Sequence, residues 1–263
     1  TGALVAIPVC MAVGFTLERV AYRPLRNAPR LAPLITAIGL SIILQHLAMI
    51  VWSRNPLPYP QIVQTVSYHV TANPNGATIT NVQIAIIAVS VAMMAGLTAL
   101  VYRTKLGIAM RATAQNQPVA GLMGIDINRV IALTFVIAGG LGSVAGVMVG
   151  TYYGIAHYQM GFLLGLKAFS AAVLGGIGNL AGAMLGGLLL GVIEALGAGY
   201  VGEITNLCQL ASWSDAIAAR CATDPTLTLF GSNYQDVFAF LLLIAVLVFR
   251  PSGLLGERVS DRA

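Results

Sequence analysis

Apolar residues in this chain come in long runs, separated by short stretches that carry most of the cations. A helix needs about 20 mostly apolar residues, at 1.5 Å rise each, to cross the hydrocarbon core of a bilayer. The stretches 3–18, 31–52, 82–102, 130–153 and 180–200 meet or approach that length, and two shorter ones, 162–178 and 234–249, join them. Helices are the expected form of all seven, because an open strand in lipid leaves backbone N–H and C=O groups unpaired. The pattern therefore predicts an all-α, polytopic transmembrane bundle with about seven spans, built as a single transmembrane domain over 1–263.

Composition agrees. Of 263 residues, 57% are hydrophobic and 9% charged, against about 25% charged in an ordinary soluble domain. So little polar surface cannot cover a water-soluble globule, and lipid is the expected solvent. The net charge of +5 does not point to nucleic acid, because the cations are grouped as orientation signals between spans. One set of loops holds Arg19, Arg23, Arg26 and Arg30, then Arg103, Lys105, Arg111 and Arg129, then Arg250, Arg258 and Arg262. The other set holds only Arg54 and Arg220, and Lys167 falls inside a short apolar run. The positive-inside rule makes the first set cytoplasmic. Seven crossings that start outside and end inside satisfy it. A re-entrant dip at 162–178 would instead put the last three arginines outside, so that run is expected to cross.

The chain starts at Thr1, without Met and already within an apolar run, and is read as lacking its natural N-terminus rather than as carrying a signal peptide. Two outward loops are long, about 53–81 and 201–233. The first holds Pro56, Pro58, Pro60 and Pro74 and is expected to be irregular. The second holds Cys208 and Cys221, which on the oxidising side can form a disulfide or remain two free thiols. Glycines at four-residue spacing, Gly142, Gly146 and Gly150, and again Gly182 and Gly186, mark faces where helix backbones are expected to approach closely.

Enzyme chemistry finds little support. There is no Gly-x-x-x-x-Gly-Lys-Ser/Thr phosphate loop, so the chain is not expected to hydrolyse ATP itself. His46, His69 and His157 are scattered with no zinc spacing, and no Gly-x-Ser-x-Gly elbow occurs. Ionisable residues inside spans cost about 2.5–3.5 kcal/mol on insertion scales, so a role or a partner is the first hypothesis for each. Lys167 and Glu194 fall at similar depth near the outer side, which allows a salt bridge or a polar vestibule. The alternative is a snorkelling lysine and a glutamate facing an aqueous crevice. Gln45, with His46, sits in mid-run and either lines a pathway or bonds to neighbouring helices. Asp236, just inside the last run, is expected to stay at the interface.

The most informative polar segment is the cytoplasmic loop of about 103–129. Arg111, Ala112, Ala114 and Gln115 fit a short amphipathic helix, with Asn116-Gln117-Pro118 turning the chain into Val119, Ala120 and Gly121 and on to Gly124. A helix carrying small side chains can seat in a groove of another protein. This segment resembles the coupling loop of ABC importer permeases, although Arg111 stands where a glutamate often precedes the two alanines. The stretches Glu18 to Arg26, Leu34 to Gln45, Asn128 to Met148, Lys167 to Gly191 and Phe249 to Gly256 resemble the LivH-type permease of branched-chain amino-acid importers. That resemblance implies a further helix upstream of Thr1, a bacterial inner-membrane location and a LivM-like second permease. It also implies two cytoplasmic ATPases that bind ATP and Mg, a periplasmic amino-acid-binding protein, and no cofactor or metal in this chain. A permease for urea or short amides shares the same motifs. A secondary transporter working without an ATPase is the reading from another class.

Overall fold

The computed structural model describes residues 2–25, 29, 32–60, 66–69, 78–176, 178–204, 235–250 and 252–256. The proposed Cys208–Cys221 bridge and most of the loop 201–233 lie outside the described residues. Seven apolar helices coincide with the seven predicted runs: α1 (Gly2–Leu17, continued by a π-helical turn Glu18–Tyr22), α2 (Ala32–Val51), α3 (Asn81–Arg103), α6 (Ile127–Tyr153), α7 (Met160–Gly175), α8 (Leu180–Ile204) and α9 (Gln235–Phe249). Between α3 and α6 lie two short helices, α4 (Lys105–Gln115) and α5 (Gln117–Leu122). Among the described residues, four helices are long and apolar enough to cross a membrane on their own, those of α1 (with its π-helical turn), α3, α6 and α8. Large apolar side chains such as Ile43, Ile50, Leu188 and Ile244 stand exposed on the helix faces, which suits lipid as the surrounding medium. The chain is an all-α, polytopic membrane protein.

The chain divides into two compact units, Thr1–Phe162 and Leu163–Ala263. In the first, α1 packs on α6 with the backbones almost touching. A Cβ on Gly14 would lie 2.6 Å from the Phe135 carbonyl oxygen, and one on Gly139 would lie 2.5 Å from that of Cys10. Gly140 faces the Met11 side chain. Gly142 and Gly146, the expected contact glycines, meet nothing within 4 Å among the described residues. Within the chain the contact between α1 and α6 is made at Gly14, Gly139 and Gly140 instead. Gly142 lies about 60° round the helix from Gly139, on the side away from Gly140, and Gly146 lies about two turns beyond Gly139. Gly150 does have a neighbour, the ring of Tyr59, 3.0 Å from where its Cβ would be.

Tyr59 arrives there because the loop after α2 is not wholly irregular, contrary to expectation. Short strands β1 (Leu57–Pro58) and β4 (Ile155–Ala156) pair antiparallel, with Leu57 opposite Ala156, and Tyr59 N–H donates to the Gly154 carbonyl at 2.9 Å. Strands β2 (Ser67–His69) and β3 (Thr78–Thr80) form a second antiparallel pair. Prolines in this loop do not prevent such pairing, because Pro58 sits in a two-residue strand at an edge. Thr80 then starts α3 with a capping box, its hydroxyl accepting from Gln83 N–H while the Gln83 side chain accepts from Thr80 N–H.

In the second unit α7 and α8 form an antiparallel pair whose backbones meet at Gly175 with Gly182 and at Gly186 with the Ala171 carbonyl. Gly182 and Gly186 thus stand at the helix contact. Leu174 beneath them is fully buried. After α9 the chain folds back: Leu254 N–H donates to Leu174 O at 2.9 Å, Leu255 N–H to Gly175 O at 3.0 Å, and Asn179 Nδ2 to Leu255 O at 2.8 Å. These bonds satisfy carbonyls that the end of α7 would otherwise leave unpaired. The fit demands glycine, since Gly253 adopts φ +80° with its would-be Cβ 2.6 Å from the Gly176 Cα. The C-terminal ends of α7 and α9 and the start of α8 therefore sit together.

Replacing Gly139 by Ala should destabilise the chain by about 1–3 kcal/mol through overpacking. Gly142→Ala should be neutral or slightly stabilising, since alanine is the better helix former. Thermal unfolding of the purified protein in one detergent checks the pair.

Candidate functional site

Two polar constellations are built by this fold. The first is the α4–α5 segment. Thr104 joins it to α3 by using its hydroxyl twice, donating to Leu100 O at 2.6 Å and accepting from Gly107 N–H at 3.1 Å. Gly107 is needed at this corner, because a Cβ there would collide with the carbonyls of Leu100 and Val101. Asn116 is both the end of α4 and the cap of α5: its N–H donates to Ala112 O at 3.1 Å and its Oδ1 accepts from Val119 N–H at 3.3 Å. The turn is therefore made by Asn116 alone, and Gln117 and Pro118 already belong to α5, where proline fits the first helical positions. Asp126 caps α6 by accepting from Arg129 N–H at 3.2 Å and pairs with the Arg129 side chain at 3.0 Å. Each joint of the segment is thus fixed by a side-chain cap.

Burial sorts the predicted coupling residues. Arg111, Ala114, Gln115, Asn116, Gly121 and Gly124 are exposed, and Ala112 is half-buried. Ala120 is buried at 3% exposure and takes no part in an outer face. Arg111 lies over the Tyr102 ring, 5.1 Å from its centroid, a cation–π contact with the C-terminal end of α3. Sequence reasoning missed Thr104 and Gly107. The signal was available, since a threonine three residues ahead of a glycine after a long apolar run is a helix start.

The second constellation lies in the other unit. Lys167 Nζ on α7 pairs with Glu194 Oε1 on α8 and lies 2.8 Å from Asp236 Oδ1 on α9. One ammonium is thus shared by two carboxylates, the three groups coming from three helices, and Asp236, at the start of α9, joins a pairing that had been expected of Glu194 alone. No local pattern announces it, because the three residues are far apart in sequence. Gln45 and His46 form bonds within α2: Gln45 Nε2 donates to Ser41 Oγ at 3.1 Å, and His46 Nδ1 lies 2.9 Å from Ile42 O. Among the described residues no group of three His, Cys, Asp or Glu is placed to hold a metal ion.

Comparison with known proteins gives a consistent answer. Residues 1–247 match the family described as branched-chain amino acid transport system, permease component. The chain is 44% identical over 252 residues to the high-affinity branched-chain amino acid transport system permease protein BraD of Pseudomonas aeruginosa, covering 96% of this chain and 73% of that one. It is 40% identical over 254 residues to LivH of Escherichia coli, covering 96% and 72%. A probable LivH of Methanocaldococcus jannaschii is 25% identical over 171 residues, covering 64% and 46%. No solved structure matches.

The shared ammonium sets an order of damage. Lys167→Met leaves two adjacent, partly buried carboxylates without their cation and should cost about 1–3 kcal/mol, the usual cost of leaving a polar group unpaired. Glu194→Gln and Asp236→Asn should each cost less, because Lys167 keeps one partner. Unfolding midpoints of the three variants in detergent test this, and equal losses would contradict a shared ammonium.

Proposed function

The chain belongs to the branched-chain amino acid transport permease family, and on that premise we propose that it is the permease subunit of an ATP-driven importer carrying hydrophobic amino acids into the cytoplasm. In this proposal it sits in the bacterial inner membrane beside a LivM-like second permease. Two cytoplasmic ATPase subunits bind ATP and Mg, and a periplasmic binding protein delivers the amino acid. The observation that carries the reading is the family match through 1–247, taken with a capped two-helix segment whose exposed residues include the small Ala114 and Gly121.

The segment suits the transmission of force. Thr104 ties α4 to the last turn of α3, and Asp126 starts α6 immediately after α5. A push on α4 is passed to two spanning helices through short hydrogen bonds instead of being absorbed by slack loop. ATP has to bind the inward-facing and outward-facing states with different free energies, or it could not shift their populations. In this reading Ala114, Gln115 and Gly121 form the surface that meets the ATPase. Ala112, Asn116 and Gly124 shape the segment, and Ala120 anchors it. Lys167 and Glu194, joined by Asp236, supply polar lining of the translocation path, and Gln45 is a further lining residue.

Reconstitution in liposomes with the ATPases and binding protein should give ATP-dependent uptake of labelled leucine. Uptake of urea instead would assign the chain to amide transport. Uptake by the chain alone in a proton or sodium gradient would make it a secondary transporter. Ala114→Trp or Gly121→Trp should lower leucine uptake about tenfold or more while ATP hydrolysis continues, the scale of a lost coupling free energy. Wild-type uptake in both variants would remove the docking role.

A further inference from the structure

An open groove of about 340 Å³ lies between the α4–α5 segment and the first turns of α6. Arg111 and Gln117 line one side, with Met110 beside them, and Val130, Ile131 and Phe135 line the other. Thr113 and Thr134 also reach it, but each hydroxyl donates to its own helix, to Ala109 O at 2.8 Å and to Val130 O at 2.9 Å. The side-chain donors left to a ligand are therefore the Arg111 guanidinium and the Gln117 amide. Stacking on Tyr102 occupies the flat face of a guanidinium and leaves its N–H groups, which lie in the plane, open to an anion. Asp126, the one acid in 103–129, is held by Arg129.

The wall opposite is apolar and sits at a telling depth. With α6 starting at Ile127, residues 130–135 lie about 5–12 Å along the helix. That is the level at which head groups give way to acyl chains. A transported amino acid does not fit this chemistry, because no acidic residue lines the groove to receive its ammonium. A free phosphate would leave the apolar wall unused.

We propose that the groove binds an anionic phospholipid of the cytoplasmic leaflet. Its phosphate bonds to Arg111 and Gln117, and an acyl chain lies along Ile131 and Phe135. Basic pockets at the cytoplasmic side of helices are suited to such head groups. The lipid would fill the space between the coupling helix and the span that it moves. The inference rests on the cytoplasmic placement of α4 in the proposed function.

The test uses the full chain in detergent, titrated with phosphatidylglycerol or phosphatidylcholine and followed by native mass spectrometry. Phosphatidylglycerol should be retained in preference to phosphatidylcholine, and millimolar inorganic phosphate should not displace it. Arg111→Gln should lower its retention about fivefold, the scale of one basic contact at a membrane surface. Ile131→Trp, which fills the groove without changing charge, should lower it as well. Arg129→Gln removes the same charge outside the groove and should leave retention within about twofold, as an exposed, already paired side chain should. Equal losses in the two arginine variants, equal retention of both lipids, or displacement by phosphate would each overturn the proposal. Labelling of Asn116→Cys by an impermeant reagent from outside intact cells would instead overturn the placement of α4, whatever the retention.

Discussion

A helix in a bilayer gains nothing by hiding apolar side chains from lipid, since lipid is as apolar as the neighbouring helix. Contacts between helices must then come from close backbone approach or from polar groups that lipid cannot satisfy. Both devices carry this protein. In the first unit α1 and α6 meet at Gly14 and Gly139 with no room for a Cβ on either side. In the second, α7 and α8 meet at Gly175, Gly182 and Gly186, and the same helices are joined to α9 through Lys167, Glu194 and Asp236.

The second unit shows how the two devices divide the work. At one end, backbone bonds from Leu254 and Leu255 cap α7, and glycines at 176 and 253 make the approach possible. Toward the other end, Lys167 gathers two carboxylates. Three helices bound at both levels move most easily as one piece. The α4–α5 segment of the first unit is built on a third principle. It is short, and caps at Thr104, Asn116 and Asp126 hold it together with the buried Gly107, Thr113 and Ala120.

Local pattern was enough for much of this. Hydropathy runs placed all seven apolar helices within a few residues, because crossing a membrane is a demand on each segment separately and its cost is read residue by residue. The mix of small and polar residues from Arg111 to Gln115 made a short amphipathic helix legible within 103–129, though not its cap at Thr104, and the quoted stretches were enough to point to a permease family. The spacing of cations was enough to expect a side for each loop.

Tertiary structure decided what depends on where helices cross. Any of the α6 glycines could have been the contact, and the crossing with α1 chose Gly139 over Gly142 and Gly146. Lys167 had a plausible partner in Glu194, but the second carboxylate, Asp236, arrived only with the packing of α9. Tyr59 could not be tied to Gly150 from sequence, since β1 and β4 lie nearly a hundred residues apart. The physical reason is the same in each case: insertion into lipid is a property of single segments, whereas the choice among equivalent faces is a property of pairs.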